Sequence, residues 1–206
     1  GVMLPKAVSG RDVAHLGAKL AVREAENDLA DGATRIIAIA PEIAAAMFEM
    51  GSFAGSSRRL VGISWGSEDL AADIGAASGR LPDGTFGAPA RQARMACLFG
   101  AAAARVAAVD TVHVAIRDEA ALRAEAEEAR SFGFSGKLAI HPAQVPVINA
   151  VFTPSPAEIA HARAIVAAFA ADPGAGVLAI GGKMVDRPHV RGAEGVLARA
   201  AAAGVA

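Results

Sequence analysis

Tyrosine is missing from this 206-residue chain, and it has one tryptophan and one cysteine. A single Cys97 cannot close an internal disulfide, which fits a reducing cytoplasm. It sits in the helical run "ARMACLFGAAAARVAA", where an apolar setting makes a buried, inert thiol the expectation. Charge of one sign is not gathered anywhere. The formal net charge is −1, and Arg58-Arg59 is the one adjacent pair of cations, so a phosphate-tracking stripe is absent and nucleic acid is not an expected partner. Apolar runs stop well short of the ~18 residues that read as a membrane span, and no charged-then-apolar leader opens the chain. Neither membrane nor secretory pathway is expected.

What the sequence does have is apolar bulk. Hydrophobic residues make up 53% and charged residues 20%, enough to bury a sizeable core. Short apolar runs alternate with longer amphipathic ones. "VML" (2–4), "RIIAIA" (35–40), "LVGIS" (60–64), "TVHVA" (111–115) and "KLAI" (137–140) read as strands, with helices around 12–28, 43–50, 89–107 and 119–131. Strand–helix alternation with strands apolar on both faces predicts an α/β fold with a parallel, helix-covered sheet over 1–150. The remainder, 151–206, reads as a more helical extension. "SPAEIAHARAIVAAF" opens with Ser155 as N-cap, Pro156 in the first turn and Glu158 closing a capping box. A short apolar run, "GVLAIGG", and a helix over about 188–202 finish the chain. The long loop "SGRLPDGTFGAPAR" (78–91) is a candidate functional segment.

Ionisable residues stand at the C-terminal ends of the expected strands. Lys6 follows the first, Glu42 the second, Glu68 and Asp69 the third, Asp118 the fourth, and His141 with Pro142 the fifth. In parallel α/β folds that rim carries the active site. Each residue also has a plain structural reading. Glu42, Glu68 and Asp69 suit the first turn of a helix, Asp118 an N-cap, and His141 a satisfied strand-to-turn histidine. If Glu42 and Asp69 face each other, two carboxylates without cysteine or clustered histidine form a hard oxygen site. That donor set suits Mg²⁺ and Lewis-acid chemistry next to a carbonyl. Phosphoryl transfer is disfavoured, because no glycine-rich phosphate cradle follows a strand and "IGGKMV" has the wrong spacing.

The blocks "GVMLPKA", "SWGSEDLAADIG", "SGRLPDGTFGAPAR", "GKLAIHPAQV" and "GKMVDRPHV", in this order, resemble the HpcH/HpaI aldolase and citrate lyase beta-subunit family, and its acyl-CoA lyase branch in particular. The resemblance implies a (β/α)₈ TIM barrel with Mg²⁺ held at the strand tips by Glu42 and Asp69. It implies a CoA thioester across the barrel mouth, near Lys6, Glu68, His141 and Pro142. It further implies that Asp186 acts as acid/base, offered from a neighbouring subunit of a trimer or hexamer. Taken alone, Asp186 in "MVDRP" is a plausible N-cap before Pro188. The implied reaction is cleavage of a 3-hydroxyacyl-CoA of the malyl-, citramalyl- or citryl-CoA type to an acyl-CoA and a 2-oxo acid. A free 2-oxo-acid aldolase of the HpcH type, and a non-catalytic truncated barrel subunit, are the alternatives. The chain departs from the family pattern in three ways. Pro41 and Ile43 flank the glutamate where the family carries threonines, and Gly181 stands where an aspartate is common. The family's first three strand–helix units, with an acidic cluster and an arginine, have no counterpart, so a fragment of a longer protein is expected.

Overall fold

The computed structural model describes residues 1–206. It divides into two compact units, Gly1–Ile148 and Asn149–Ala206.

The first unit is built on five parallel strands in the order β1-β2-β3-β4-β5: Val2–Leu4, Ile36–Ile39, Leu60–Ser64, Ala107–Asp110 and Gly136–Lys137. Every neighbour in space is the next strand in the chain, with helical segments in the crossovers, as a barrel wall requires. Helix α1 (Gly10–Glu26) starts at a capping box in which Ser9 and Asp12 satisfy each other's backbone N–H groups. The region expected to be helical around 43–50 forms two 3₁₀ turns, Ala44–Phe48 and Met50–Phe53. Helices α2 (Ser67–Asp73), α3 (Ala88–Ala104), α4 (Glu119–Phe132) and α5 (Gln144–Phe152) complete the series, α5 running across the division between the units. Ile36, Ala38, Phe53, Ile63, Trp65, Ala93, Cys97 and Leu122 are buried beneath them. Burial pushes the Cys97 thiol far up, and its Sγ lies 3.4 Å from the Ile63 carbonyl, so this cysteine is core, as expected.

Two strand expectations need correction. The fourth strand ends at Asp110, and 111–115 is not strand. The alanine-rich stretch before it hides the boundary: α3 ends on Arg105 in the left-handed region (φ 57°) rather than on a glycine. The fifth strand is Gly136–Lys137 rather than 137–140. Asp118 is therefore not a strand-tip residue. It is the N-cap of α4, its carboxylate accepting from the Ala121 N–H at 3.0 Å. The 78–91 loop is pinned rather than open, with the Leu81 N–H on the Thr85 carbonyl at 2.8 Å and the Arg80 guanidinium 4.1 Å above the Phe86 ring.

In the second unit, α6 (Pro156–Ala171) begins at the expected Ser155–Glu158 capping box. The "GVLAIGGKMVD" segment is an antiparallel hairpin of β6 (Val177–Ile180) and β7 (Lys183–Asp186). Its two turn residues, Gly181 and Gly182, have φ of 57° and 76°, the handedness that a two-residue hairpin turn demands. Helix α7 (Arg187–Ala202) follows, and Ala162, Ile165, Phe169, Val185 and Ala193 form the core of this unit. No helix in the chain is long and apolar enough to cross a membrane.

Candidate active site at the strand tips

Three of the predicted residues meet just beyond the C-terminal ends of β1, β2 and β3. Lys6 follows β1 in the left-handed region (φ 53°), a conformation that costs a non-glycine residue free energy. That turn aims its backbone N–H at the Glu42 Oε1, with which it hydrogen-bonds. The Lys6 ammonium reaches the other way and pairs with the Asp69 Oδ1 at 2.6 Å. One residue thus touches both acids.

Glu42 is held by a tight turn after β2, in which its N–H donates to the Ala40 carbonyl at 2.7 Å. It is 4% exposed, and a Cβ on Gly66 would lie 2.9 Å from its Oε2, so any side chain there would push the Glu42 carboxylate aside. Burial pushes the Glu42 carboxyl above the usual carboxylate range. The Lys6 N–H and ammonium oppose this, and the negative charge of Asp69 adds to it. Asp69 stands in the first turn of α2 with its side chain about half exposed. Asp69 in turn raises the Lys6 pKa, through a hydrogen bond and its charge. A bond from the Ala44 N–H to the Asp73 Oδ2 at 2.7 Å ties the segment after Glu42 to the same helix.

Within the first unit, Glu68, His141 and Pro142 are not brought into this cluster by any contact. Glu68 is exposed and accepts from the Ser67 hydroxyl at 3.1 Å. His141 and Pro142 are exposed; the His141 Nδ1 accepts from the Ala143 N–H at 3.1 Å, and the ring lines a groove with Ile116, Arg117 and Gln144. Asp186 belongs to the second unit. It is the N-cap residue of α7, with its Oδ1 2.5 Å from the His189 Nδ1.

The tips of β4 and β5 carry what the sequence reading missed. Asp110, fully buried, accepts from the Trp65 Nε1 at 2.8 Å, the Lys137 Nζ at 3.0 Å, and the Arg94 Nε and Nη2 at 3.1 Å each. Glu125 joins through Arg80 at 2.6 Å, the His113 Nδ1 at 2.6 Å and Lys137 at 3.6 Å. Burial pushes the Glu125 carboxyl up, but Lys137, Arg80 and His113 outweigh it and leave it below the usual range. The His113 Nε2 is buried without a partner. The signal for this network was the lone tryptophan followed, one crossover later, by an aspartate closing an apolar run.

A model described as HpcH/HpaI aldolase/citrate lyase matches residues 1–142. The chain belongs to that family. A second model, of C–C bond lyases of the TIM-barrel fold, matches residues 89–205, in keeping with the parallel strand order. The chain is 38% identical over 199 residues to a citrate lyase subunit beta-like protein of Mycobacterium tuberculosis, covering 97% of this chain and 66% of that one. It is 46% identical over 147 residues to a (3S)-malyl-CoA thioesterase of Cereibacter sphaeroides, covering 70% of this chain and 50% of that protein. Among solved structures, the M. tuberculosis protein CitE in complex with magnesium, acetoacetate and coenzyme A superposes with a TM-score of 0.73 at 35% identity, covering 97% of this chain and 68% of that one. The chain thus spans between half and two thirds of the length of these family members.

The Glu42–Asp69 pair fits a small divalent cation. Both donors are hard carboxylate oxygens, a glycine keeps the space beneath one clear, and a cation, the Lys6 ammonium, already sits on the other. No group of three or more His, Cys, Asp or Glu side chains is placed to enclose a metal. Two carboxylates leave the remaining positions to water and ligand oxygens, the arrangement Mg²⁺ favours.

Proposed function

We propose that the chain is the metal- and oxo-acid-binding part of a carbon–carbon lyase that cleaves a 3-hydroxyacyl-CoA of the malyl-, citramalyl- or citryl-CoA type into an acyl-CoA and a 2-oxo acid. The observation that carries this reading is the meeting of Glu42 and Asp69 through Lys6 at the strand tips. Glu42 and Asp69 would hold Mg²⁺, which supplies Lewis-acid polarisation of a carbonyl oxygen when bound. The magnesium, acetoacetate and coenzyme A of the CitE complex support a chemistry that uses a metal, an oxo acid and CoA.

In the cleavage the 3-hydroxyl gives its proton to solvent water and becomes the carbonyl of the 2-oxo acid, while the C2–C3 bond breaks and its electron pair passes to the thioester as an enolate. Asp186 serves as the acid that delivers a proton to C2. It does so toward a neighbouring copy of the chain, so that the second unit completes another subunit's site in a homo-oligomer. His189, 2.5 Å from Asp186, orients that carboxyl group. The rim near His141 and Pro142 takes the CoA portion.

Isothermal titration with Mg²⁺ tests the site. Millimolar or tighter binding by the wild-type chain, lost in Glu42→Gln and Asp69→Asn, is expected. Absence of wild-type binding at millimolar metal would instead favour a non-catalytic assembly subunit. Incubation with malyl-CoA and with a 4-hydroxy-2-oxo acid separates the thioester branch from a free 2-oxo-acid aldolase, and release of free CoA reports hydrolysis.

A further inference from the structure

Lys6 makes three uncommon arrangements at once. Its backbone is left-handed without being glycine or asparagine, its N–H is spent on one acid, and its ammonium is spent on the other. The left-handed backbone is a strained conformation, and it is held where the N–H meets Glu42 and the ammonium meets Asp69.

Charge explains the second contact. Glu42 and Asp69 together bring −2 to a rim where one of them is 4% exposed, and Lys6 reduces that to −1. A divalent cation on the same two acids would turn the sum from −1 to +1. The Asp69 carboxylate, which receives the ammonium on its Oδ1 at 2.6 Å, is also the group that a metal at this site would use. Two cations cannot share it closely without repelling each other.

We propose that the Lys6 ammonium is the resident counter-ion of this site: it holds Asp69 in place before the metal arrives, yields that carboxylate to the metal, and then serves as the positive charge that receives the carboxylate of a 2-oxo acid. This rests on the reading that Glu42 and Asp69 hold the metal. It assigns Lys6 a positioning role that changes with occupancy. Its consequence is a trade: the residue weakens metal binding and strengthens anion binding. With Lys6 neutralised, the occupied site sums to zero and loses its excess attraction for an anion.

The test is a pair of isothermal titrations on the full chain, Mg²⁺ alone and then pyruvate at saturating Mg²⁺, for wild type, Lys6→Met and Lys6→Arg. Thermal unfolding serves as a check on folding. Exposed ion pairs are worth a factor of about two to five in an equilibrium constant. Lys6→Met should therefore bind Mg²⁺ about two- to fivefold more tightly and pyruvate more weakly by a similar factor, while Lys6→Arg stays near wild type in both. Opposite shifts in one variant are not produced by a merely structural residue, whose loss weakens both ligands together. Mg²⁺ affinity that is unchanged or lower in Lys6→Met overturns the exchange, as does Lys6→Arg shifting as far as Lys6→Met. A wild-type chain that takes up no Mg²⁺ overturns the metal reading itself, and the exchange with it.

Discussion

Replacing Asp110 by asparagine should be the most damaging single change in the first unit. The carboxylate neutralises the buried Arg94 and Lys137, whose side chains are 3% and 0% exposed, and also accepts the Trp65 indole N–H. In Asp110→Asn the shape is kept, but the charge is lost and the amide NH₂ turns a donor toward donors. Glu125 lies 3.6 Å from Lys137 and is already shared with Arg80 and His113, while Glu128, on Arg94 at 2.5 Å, is half exposed. Neither can take over. Breaking a buried ion pair from one side costs about 3–5 kcal/mol, against a total of about 5–15 kcal/mol for a typical domain. At about 2–4 °C per kcal/mol for a chain of this size, the midpoint should fall by roughly 6–20 °C. The chain's one tryptophan is itself in the network, so Trp65 fluorescence during urea or heat unfolding reads the affected region directly. Asp118→Ala, which removes only the α4 cap, should cost about 1 kcal/mol and serves as the reference. If Asp110→Asn unfolds no earlier than Asp118→Ala, the network is not what holds the β4 and β5 tips.

Glu24 is held well below the usual carboxylate range by the Arg59 guanidinium and by the Thr34 and Gly32 N–H groups. A depressed folded-state pKa stabilises the fold above the ordinary glutamate value, and that contribution is lost as pH falls below it. Urea unfolding of wild type and Glu24→Gln should therefore show a full gap at pH 6 that narrows steadily below about pH 4.5. Gly66→Ala places a Cβ 2.9 Å from the Glu42 Oε2 and 3.0 Å from its Cβ, while the backbone there (φ −133°) accepts alanine. The fold should survive and Mg²⁺ affinity should drop about 10- to 100-fold, the usual effect of disturbing a ligand's support, which titration calorimetry would record.

Sequence periodicity located β1 and β3 to the residue and foresaw the α6 capping box, because each is a local pattern with its own punctuation. It mistook β4, where an alanine-rich helix runs into an alanine-rich strand through a left-handed arginine and no glycine marks the seam. That one misplacement concealed Asp110 as a strand tip, and with it a network whose bonded partners lie 12 to 45 residues apart. Glu42 and Asp69 were legible because the rim rule needs only the strand ends. The bridging by Lys6 was not, since it depends on a backbone conformation that "LPKA" does not announce. The β6–β7 hairpin was hidden for a different reason: its apolar run is too short to show whether it pairs with a neighbour.

The rim is unequal along its length. At β1 to β3 the Lys6–Asp69 pair stands open to solvent, whereas at β4 and β5 Arg94, Lys137, Asp110 and Glu125 are locked together inside the protein. A lineage exploring new substrates could rewrite the first half a residue at a time. In the second half, a change of charge left unmatched by another would cost stability, as Asp110→Asn does. Novel chemistry on this framework should therefore enter from the side where the chain's earlier strands end.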